Sequence, residues 1–265
     1  MIRQLGRNRS RSLSVGIIML RQATCEVITT KTDIRFTRPL YTSAEAARIV
    51  GVPPSTFAGW AKGYVRRRSG KRDVAGVAVV TALKAPSQMP SIPFVGLAEG
   101  LVLAAVRKSG VPLQRVRPAL DVLARELGVE HALASKRLYT DGAEILFDYS
   151  TKPRRAGAAE VGELVVVRNK QRVFAEVVEQ YLRRLEYAED GYARLLHLPG
   201  YTRADVVCDP ERSFGSPIFA RGGVRVDDVL DRFQAGESLE DLADDFGVPA
   251  ADLEDALRVA SRRAA

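Results

Sequence analysis

The chain has 265 residues, 46% of them apolar, and a formal net charge of +8. That length permits two domains with packed cores. Two cysteines, Cys25 and Cys208, are too few for a disulfide framework, and neither they nor His131 and His197 have zinc-ligand spacing; no apolar run reaches the ~18 residues of a membrane helix.

Residues 1–38 read as a mobile basic arm. MIRQLGRNRSRSLSVGIIMLRQATC loosely imitates a secretion signal, but Ser14 and Gly16 break its apolar run, Arg21 closes it, and no small-x-small cleavage site follows. A cytoplasmic protein is expected, with Met19 an alternative start.

The next stretch, YTSAEAARIVGVPPSTFAGWAKGY, predicts two short helices joined by a tight turn. Thr42 or Ser43 caps the first, and Glu45 completes a capping box. Ala46, Ala47, Ile49 and Val50 form its buried side, and Gly51 ends it. Val52 plugs the turn, Pro53-Pro54 starts the second helix, and Phe57 and Trp60 face inward. This is the pattern of a helix-turn-helix, whose second helix offers its N-terminal residues to the major groove. Base contacts are assigned to Ser55 and Thr56, with Lys62 and Ser43 beside them. Tyr64, Arg66, Arg67, Arg68, Lys71 and Arg72 follow with no intervening acid, in a hairpin expected over Val65–Ala82 that would lie as a wing along the phosphates.

Downstream, helices are expected over about Gly96–Lys108 and Pro112–Leu127, with Pro118 kinking the second. A hairpin over Leu138–Tyr149 turns on Asp141-Gly142, and Glu163–Val167 reads as a strand. A long amphipathic helix over Gln171–Leu185 serves either as a dimer element or as core. A boundary falls near residues 190–204. Beyond it lie strand candidates at Val206–Cys208 and Pro217–Phe219, then short helices over Asp227–Phe233, Leu239–Phe246 and Ala250–Ser261. The fold class is therefore mainly α with short β-hairpins: residues 1–38 an arm, 39–150 a winged helix-turn-helix, 151–203 a strand and connecting helix, and 204–265 a trihelical, helix-turn-helix-like domain.

Charge divides the chain. Residues 1–72 hold 15 Lys/Arg against three acids, and residues 205–258 hold 14 Asp/Glu against five Arg. A basic end suits a polyanion such as double-stranded DNA, and an acidic end repels one. Aligning the two Gly-Val-Pro turns sets Ala47 against Ala243, Glu45 against Asp241 and Val52 against Val248, so the cores agree. Asp244, Asp245, Asp252, Glu254 and Asp255 stand where a DNA reader needs bases or amides. The C-terminal unit is assigned to protein contact or dimerisation, with Arg221, Arg225, Asp244 and Asp245 as partner-binding residues. The sequence holds no nucleophile–base set, phosphate-cradling loop or metal cluster, so neither an enzyme nor a cofactor is expected.

The helix pair, its wing and LAEGLVLAAVRKSGVPLQRVRPAL resemble the MerR-type winged helix-turn-helix regulators, on Ala47, Gly51, Val52, Trp60, Gly110, Leu113, Val116 and Leu120. VVCDPERSFGSPIFARGGVRVDDVLDRFQAGESLEDLADDFGVPAADLEDALRVA is similar to a small domain of uncharacterised function found in many antitoxin-type proteins. In this order the two halves resemble the long VapB-like antitoxins of actinobacteria. That resemblance implies autoregulation of an operon and neutralisation of a PIN-domain ribonuclease toxin; a homodimer is expected. Most VapB antitoxins are ribbon-helix-helix or AbrB-type proteins, so no toxin-binding residue carries over. The other reading is a free-standing MerR-like regulator with a C-terminal ligand-sensing or dimerisation module.

Overall fold

The computed structural model describes residues 33–68, 71–110, 117, 120–122, 124–126, 128–138 and 176–264. The expected hairpin at Leu138–Tyr149 (all but Leu138), the strand at Glu163–Val167 and most of the helix at Pro112–Leu127 lie outside the described residues.

The chain enters through a single helical turn, α1 (Ile34–Thr37), capped by the Asp33 side chain. Residues 33–38 were expected in the mobile arm. Instead Arg35 pairs with Asp33 at 2.6 Å and with Asp190, which lies in a turn far along the chain, and Phe36 meets Tyr192 edge-on at 5.2 Å. Helices α2 (Ser43–Val50) and α3 (Pro54–Lys62) follow, then an antiparallel hairpin of β1 (Tyr64–Arg68) and β2 (Lys71–Gly76). The hairpin is shorter than the valines suggested. Val79 and Val80 leave the ladder and donate their N–H groups to the Trp60 carbonyl at 2.8 and 3.1 Å, and Val77 is exposed.

Helix α4 (Phe94–Lys108) is the axle of the molecule. Every residue from Phe94 to Val106 is buried, as expected of a helix that is apolar on all sides. It packs on α1 and α2 and touches the sheet described below. Its one buried acid, Glu99, accepts from the Thr81 backbone at 2.6 Å and from the Thr81 hydroxyl, and lies 3.1 Å from His131 Nδ1. Burial works against charge on His131, but this carboxylate outweighs it and raises the imidazole pKa.

A helical segment over 176–182 leads into a four-stranded antiparallel sheet: β3 (Leu185–Tyr187), β4 (Ala193–His197), β5 (Val206–Cys208) and β6 (Ile218–Phe219), adjacent in chain order. Leu185 was expected to close the long helix. It opens a strand instead, opposite Leu196, because the Arg184 carbonyl and its successors are taken up by β4, His197 N–H donating to it at 2.8 Å. Helices α5 (Val226–Gln234), α6 (Leu239–Phe246) and α7 (Ala250–Ala264) complete the chain and pack on one another.

One continuous apolar cluster runs from Tyr41 and Phe57 through Leu101, Leu133 and Leu196 to Val229, Leu253 and Ala256. The sheet crosses the boundary expected at residue 203, since β4 pairs with β5 through Leu196 and Cys208. Tyr41, next to the cap of α2, donates its buried hydroxyl to the Gly215 carbonyl at 2.8 Å. Cys208 is wholly buried beside it, and burial pushes its thiol pKa well up, which leaves it inert.

Candidate nucleic-acid interface

Helix α2 starts with a complete capping box: Glu45 N–H donates to Thr42 Oγ1 at 3.2 Å, and Thr42 N–H donates to the Glu45 carboxylate at 2.8 Å. Ser43 is thus the first helical residue, not the cap. Gly51 closes the helix at φ +75°, a left-handed conformation that glycine adopts at least cost. Val52 N–H returns to the Ala47 carbonyl at 3.0 Å, and Pro54 opens α3 where a missing N–H does no harm.

Phe57 and Trp60 are buried, their rings 5.9 Å apart. Phe57 packs against α4 at Gly100, where a Cβ would come within 2.4 Å of the ring. With those aromatics inward, α3 turns Pro54, Ser55 and Lys62 to solvent, with Thr56, Ala58 and Gly59 half-covered. Arg107, at the end of α4, donates from Nη1 to Thr56 Oγ1 at 2.9 Å. Arg107 was missed from sequence. A cation in the last turn of a helix reads as a partner of the helix dipole, and nothing local says that it reaches the start of α3.

Ser43 and Lys62 line one cleft of about 670 Å³ with Thr42, Lys84 and Met89, so those two candidates come together. Tyr64 is half-covered at the foot of the hairpin. In the backbone ladder, Arg66 stands opposite Val74 and Arg68 opposite Lys71, with an irregularity between Arg66 and Arg68. Arg67 and Arg72 also lie on these strands.

The C-terminal candidates are differently placed. Arg221 and Asp244 are exposed. Arg225 approaches Asp227 and Asp228 at 3.8 Å each. Asp245 accepts from Arg232 Nη2 at 2.7 Å, and that guanidinium also holds Glu237 and lies over the Phe246 ring. Asp255, expected on the surface, is 2% exposed. It accepts from the backbone N–H groups of Thr202, Arg203 and Ala204 at 2.6, 2.8 and 3.1 Å, and from the Thr202 hydroxyl at 3.0 Å. Burial alone would raise its pKa, but these bonds hold it below the usual carboxylate value. Its role is to staple the chain entering β5 onto α7. Among the described residues no His, Cys, Asp and Glu cluster could hold a metal ion, and no helix is long and apolar enough to cross a membrane.

An exposed helix start, a buried aromatic pair behind it and a basic hairpin after it define a helix-turn-helix protein carrying a second, acidic helical module. Residues 39–120 match the family described as "Putative DNA-binding HTH domain", and residues 206–260 the "Protein of unknown function (DUF433)" family. The chain is 46% identical over 228 residues to the "Putative antitoxin VapB45" of Mycobacterium tuberculosis, covering 85% of this chain and 95% of that protein, and it belongs to the same family. It is also 26% identical over 228 residues to "Uncharacterized protein Rv2308" of the same organism, covering 83% and 89%. The crystal structure of Rv2018 from Mycobacterium tuberculosis superimposes with a TM-score of 0.67 at 41% identity, over 84% of this chain and 99% of that one.

Proposed function

We propose that the chain is a DNA-binding antitoxin that represses its own operon as a homodimer and neutralises a PIN-domain ribonuclease. The reading rests on α3. Its first turn exposes Pro54 and Ser55, it carries Lys62 at its end and Arg107 against its start, and it runs through Gly63 directly into a strand bearing consecutive arginines. In the ladder Arg68 pairs with Lys71, so the hairpin gathers positive charge with no acid among Tyr64–Arg68, and such charge calls for an anion. A phosphate backbone supplies that anion, which makes the hairpin a wing in the MerR manner. Ser55 and the Thr56–Arg107 pair then meet base edges, with Ser43, Lys62 and Tyr64 beside them. Thr56 held by Arg107 is a more fixed reader than a free hydroxyl.

The antitoxin half of the reading is supported by the name of the 46% identical relative, which this chain matches over almost its full length. Toxin contact falls to the C-terminal module, through Arg221, Arg225, Asp244 and Asp245.

Two measurements test the proposal together. Fluorescence anisotropy should show tighter binding to the duplex upstream of the chain's own gene than to a scrambled duplex. Co-expression with the adjacent ribonuclease gene should restore growth. Equal affinity for both duplexes sinks autoregulation. Operator binding without growth rescue favours the free-standing regulator.

A further inference from the structure

The C-terminal end of the hairpin lies against a side chain with no hydrogen-bond partner. Arg117 lies on the helical stretch after α4, and its Nε, Nη1 and Nη2 are all buried without a single hydrogen-bond acceptor. Its Cζ sits 5.2 Å from the centroid of the Tyr64 ring. Gly76, the ladder partner of Tyr64, adjoins both: a Cβ there would come within 2.9 Å of the Arg117 Cζ and 2.6 Å of Tyr64 Cε1. The guanidinium therefore occupies a slot against the paired first residue of β1 and last residue of β2, and glycine is what leaves room for it.

Other groups nearby do not explain it. Arg117, Leu120, Asp121, Thr81 and Glu99 line one cavity of about 270 Å³. Glu99 is already engaged by Thr81 and His131. Asp121 is one helical turn along and exposed, yet no carboxylate bonds the guanidinium. Burial pulls the Arg117 pKa down and the Tyr64 ring only partly offsets it, but a guanidinium stays charged throughout the neutral range. Five N–H donors on a cation are thus held without an acceptor. Native proteins rarely leave such a group unsatisfied without a function that satisfies it.

We propose that Arg117 is a reserve phosphate clamp: when the hairpin settles on DNA, the guanidinium leaves the Tyr64–Gly76 slot and donates to a backbone phosphate at the hairpin's foot. The inference rests on the DNA-binding reading above. It adds a phosphate contact from outside α3 and the hairpin, and it couples hairpin position to that contact. Tyr64, which faces the guanidinium in the free protein, acts as a positioning residue.

The test uses full-length Arg117→Met, Arg117→Gln and Arg117→Lys, with duplex affinity measured across a salt series and thermal unfolding measured on each free protein. Met fills the slot without a charge, so R117M should melt at or above the wild-type temperature. Its plot of log affinity against log salt should flatten by about one unit, with affinity falling roughly tenfold near 0.1 M salt. R117Q should flatten the slope alike, and R117K should keep it. R117M and R117Q with wild-type slopes and affinities overturn the clamp and leave Arg117 a wedge. Inorganic phosphate provides the second arm. If it raises the melting temperature of wild type but not of R117M, while DNA slopes stay equal, the clamp is overturned and the cavity takes a free anion. A wild-type chain that binds no duplex overturns both the clamp and the reading beneath it, and so stands apart from a wild type that binds while R117M matches it.

Discussion

The two helix pairs of this chain, α2–α3 and α6–α7, are built alike down to single hydrogen bonds. Val52 N–H meets the Ala47 carbonyl at 3.0 Å, and Val248 N–H meets the Ala243 carbonyl at 3.2 Å. Thr56 and Phe57 donate to the Pro53 carbonyl at 2.9 and 3.2 Å; Asp252 and Leu253 donate to the Pro249 carbonyl at the same two distances. Thr42 and Ser238 cap the first helices, and Gly51 and Gly247 close them at φ +75° and +61°. The surfaces diverge. At Gly59 the second helix of the first pair has open space beside it, with nothing within 4 Å of where a Cβ would stand. At the matching Asp255 the second pair is covered by the chain's own residues 202–204. The lesson is that backbone likeness does not transfer function. One copy leaves its second helix open to a groove, and the other has that face occupied by its own backbone.

The comparison is broken most severely by removing one side. A chain ending at Gly200 loses β5 and β6, which edge β4, and loses the Gly215 carbonyl that accepts from Tyr41 beside the first helix pair. It would also expose one end of the single apolar cluster. The fragment is expected to lack a cooperative thermal transition, as followed by circular dichroism. A sharp transition close to that of the whole chain would mean that the two pairs are independent after all.

Charge sharpens the contrast next. Replacing Arg66, Arg67 and Arg68 together by Ala should weaken binding to every duplex, on the order of a hundredfold near 0.1 M salt, with the salt slope falling by about one per lost phosphate contact. Replacing Arg221 and Arg225 by Ala should leave that slope untouched while reducing protection against the ribonuclease. A salt series on both variants decides whether the basic hairpin alone addresses DNA.

The covering of the second pair is tested at Asp255. Asparagine has nearly the same shape but loses the negative charge that holds three backbone N–H groups and a hydroxyl. D255N should destabilise the chain by about 3 kcal/mol in chemical unfolding. The pH dependence has a fixed sign. The folded pKa lies below the ordinary value near 3.8, so the stabilisation is complete above that value and is lost as pH falls through the folded pKa. D255N should lack that acid-side loss. If wild type and D255N lose stability in parallel below pH 4, the staple is not what secures α7.

Much of this arrangement was legible beforehand. The helix pairs were read from capping residues, Gly-Val-Pro turns and inward aromatics, all local signals whose partners lie within four or five residues. The bounds of Leu239–Phe246 agree with the structure, and those of α4 differ only in its first turn. What the sequence could not supply were the long-range partners. β3 and β4 hide in LEY and ARLLH, too short to show alternation against the helical pattern before them. Asp255 looks like any acid on an amphipathic helix until Thr202 is brought to it from 53 positions away. Arg107 and Arg117 failed to stand out for the same reason, one bonded 51 residues back and the other wedged against Tyr64 and Gly76. Within the first helix pair the expected Ser43 and Lys62 do share a cleft.

The smallest effects give the cleanest comparison, because they act at equivalent atoms. Gly51 and Gly247 have open space around the position a Cβ would take, so alanine meets no clash at either site. The only cost is the left-handed backbone, about 1 kcal/mol for a residue bearing a Cβ. Gly51→Ala and Gly247→Ala should therefore lower stability by the same modest amount in urea titrations, with unchanged dependence on denaturant. Function should split where stability does not. Gly51 sets the angle at which α3 leaves α2, so G51A should weaken operator binding more than its stability loss explains. Gly247 sets the same angle for a helix whose equivalent face is already covered, so G247A should leave the operator isotherm where it was. Equal losses of DNA affinity from both substitutions would mean that the acidic pair takes part in binding DNA, and the division of labour between the two would fall.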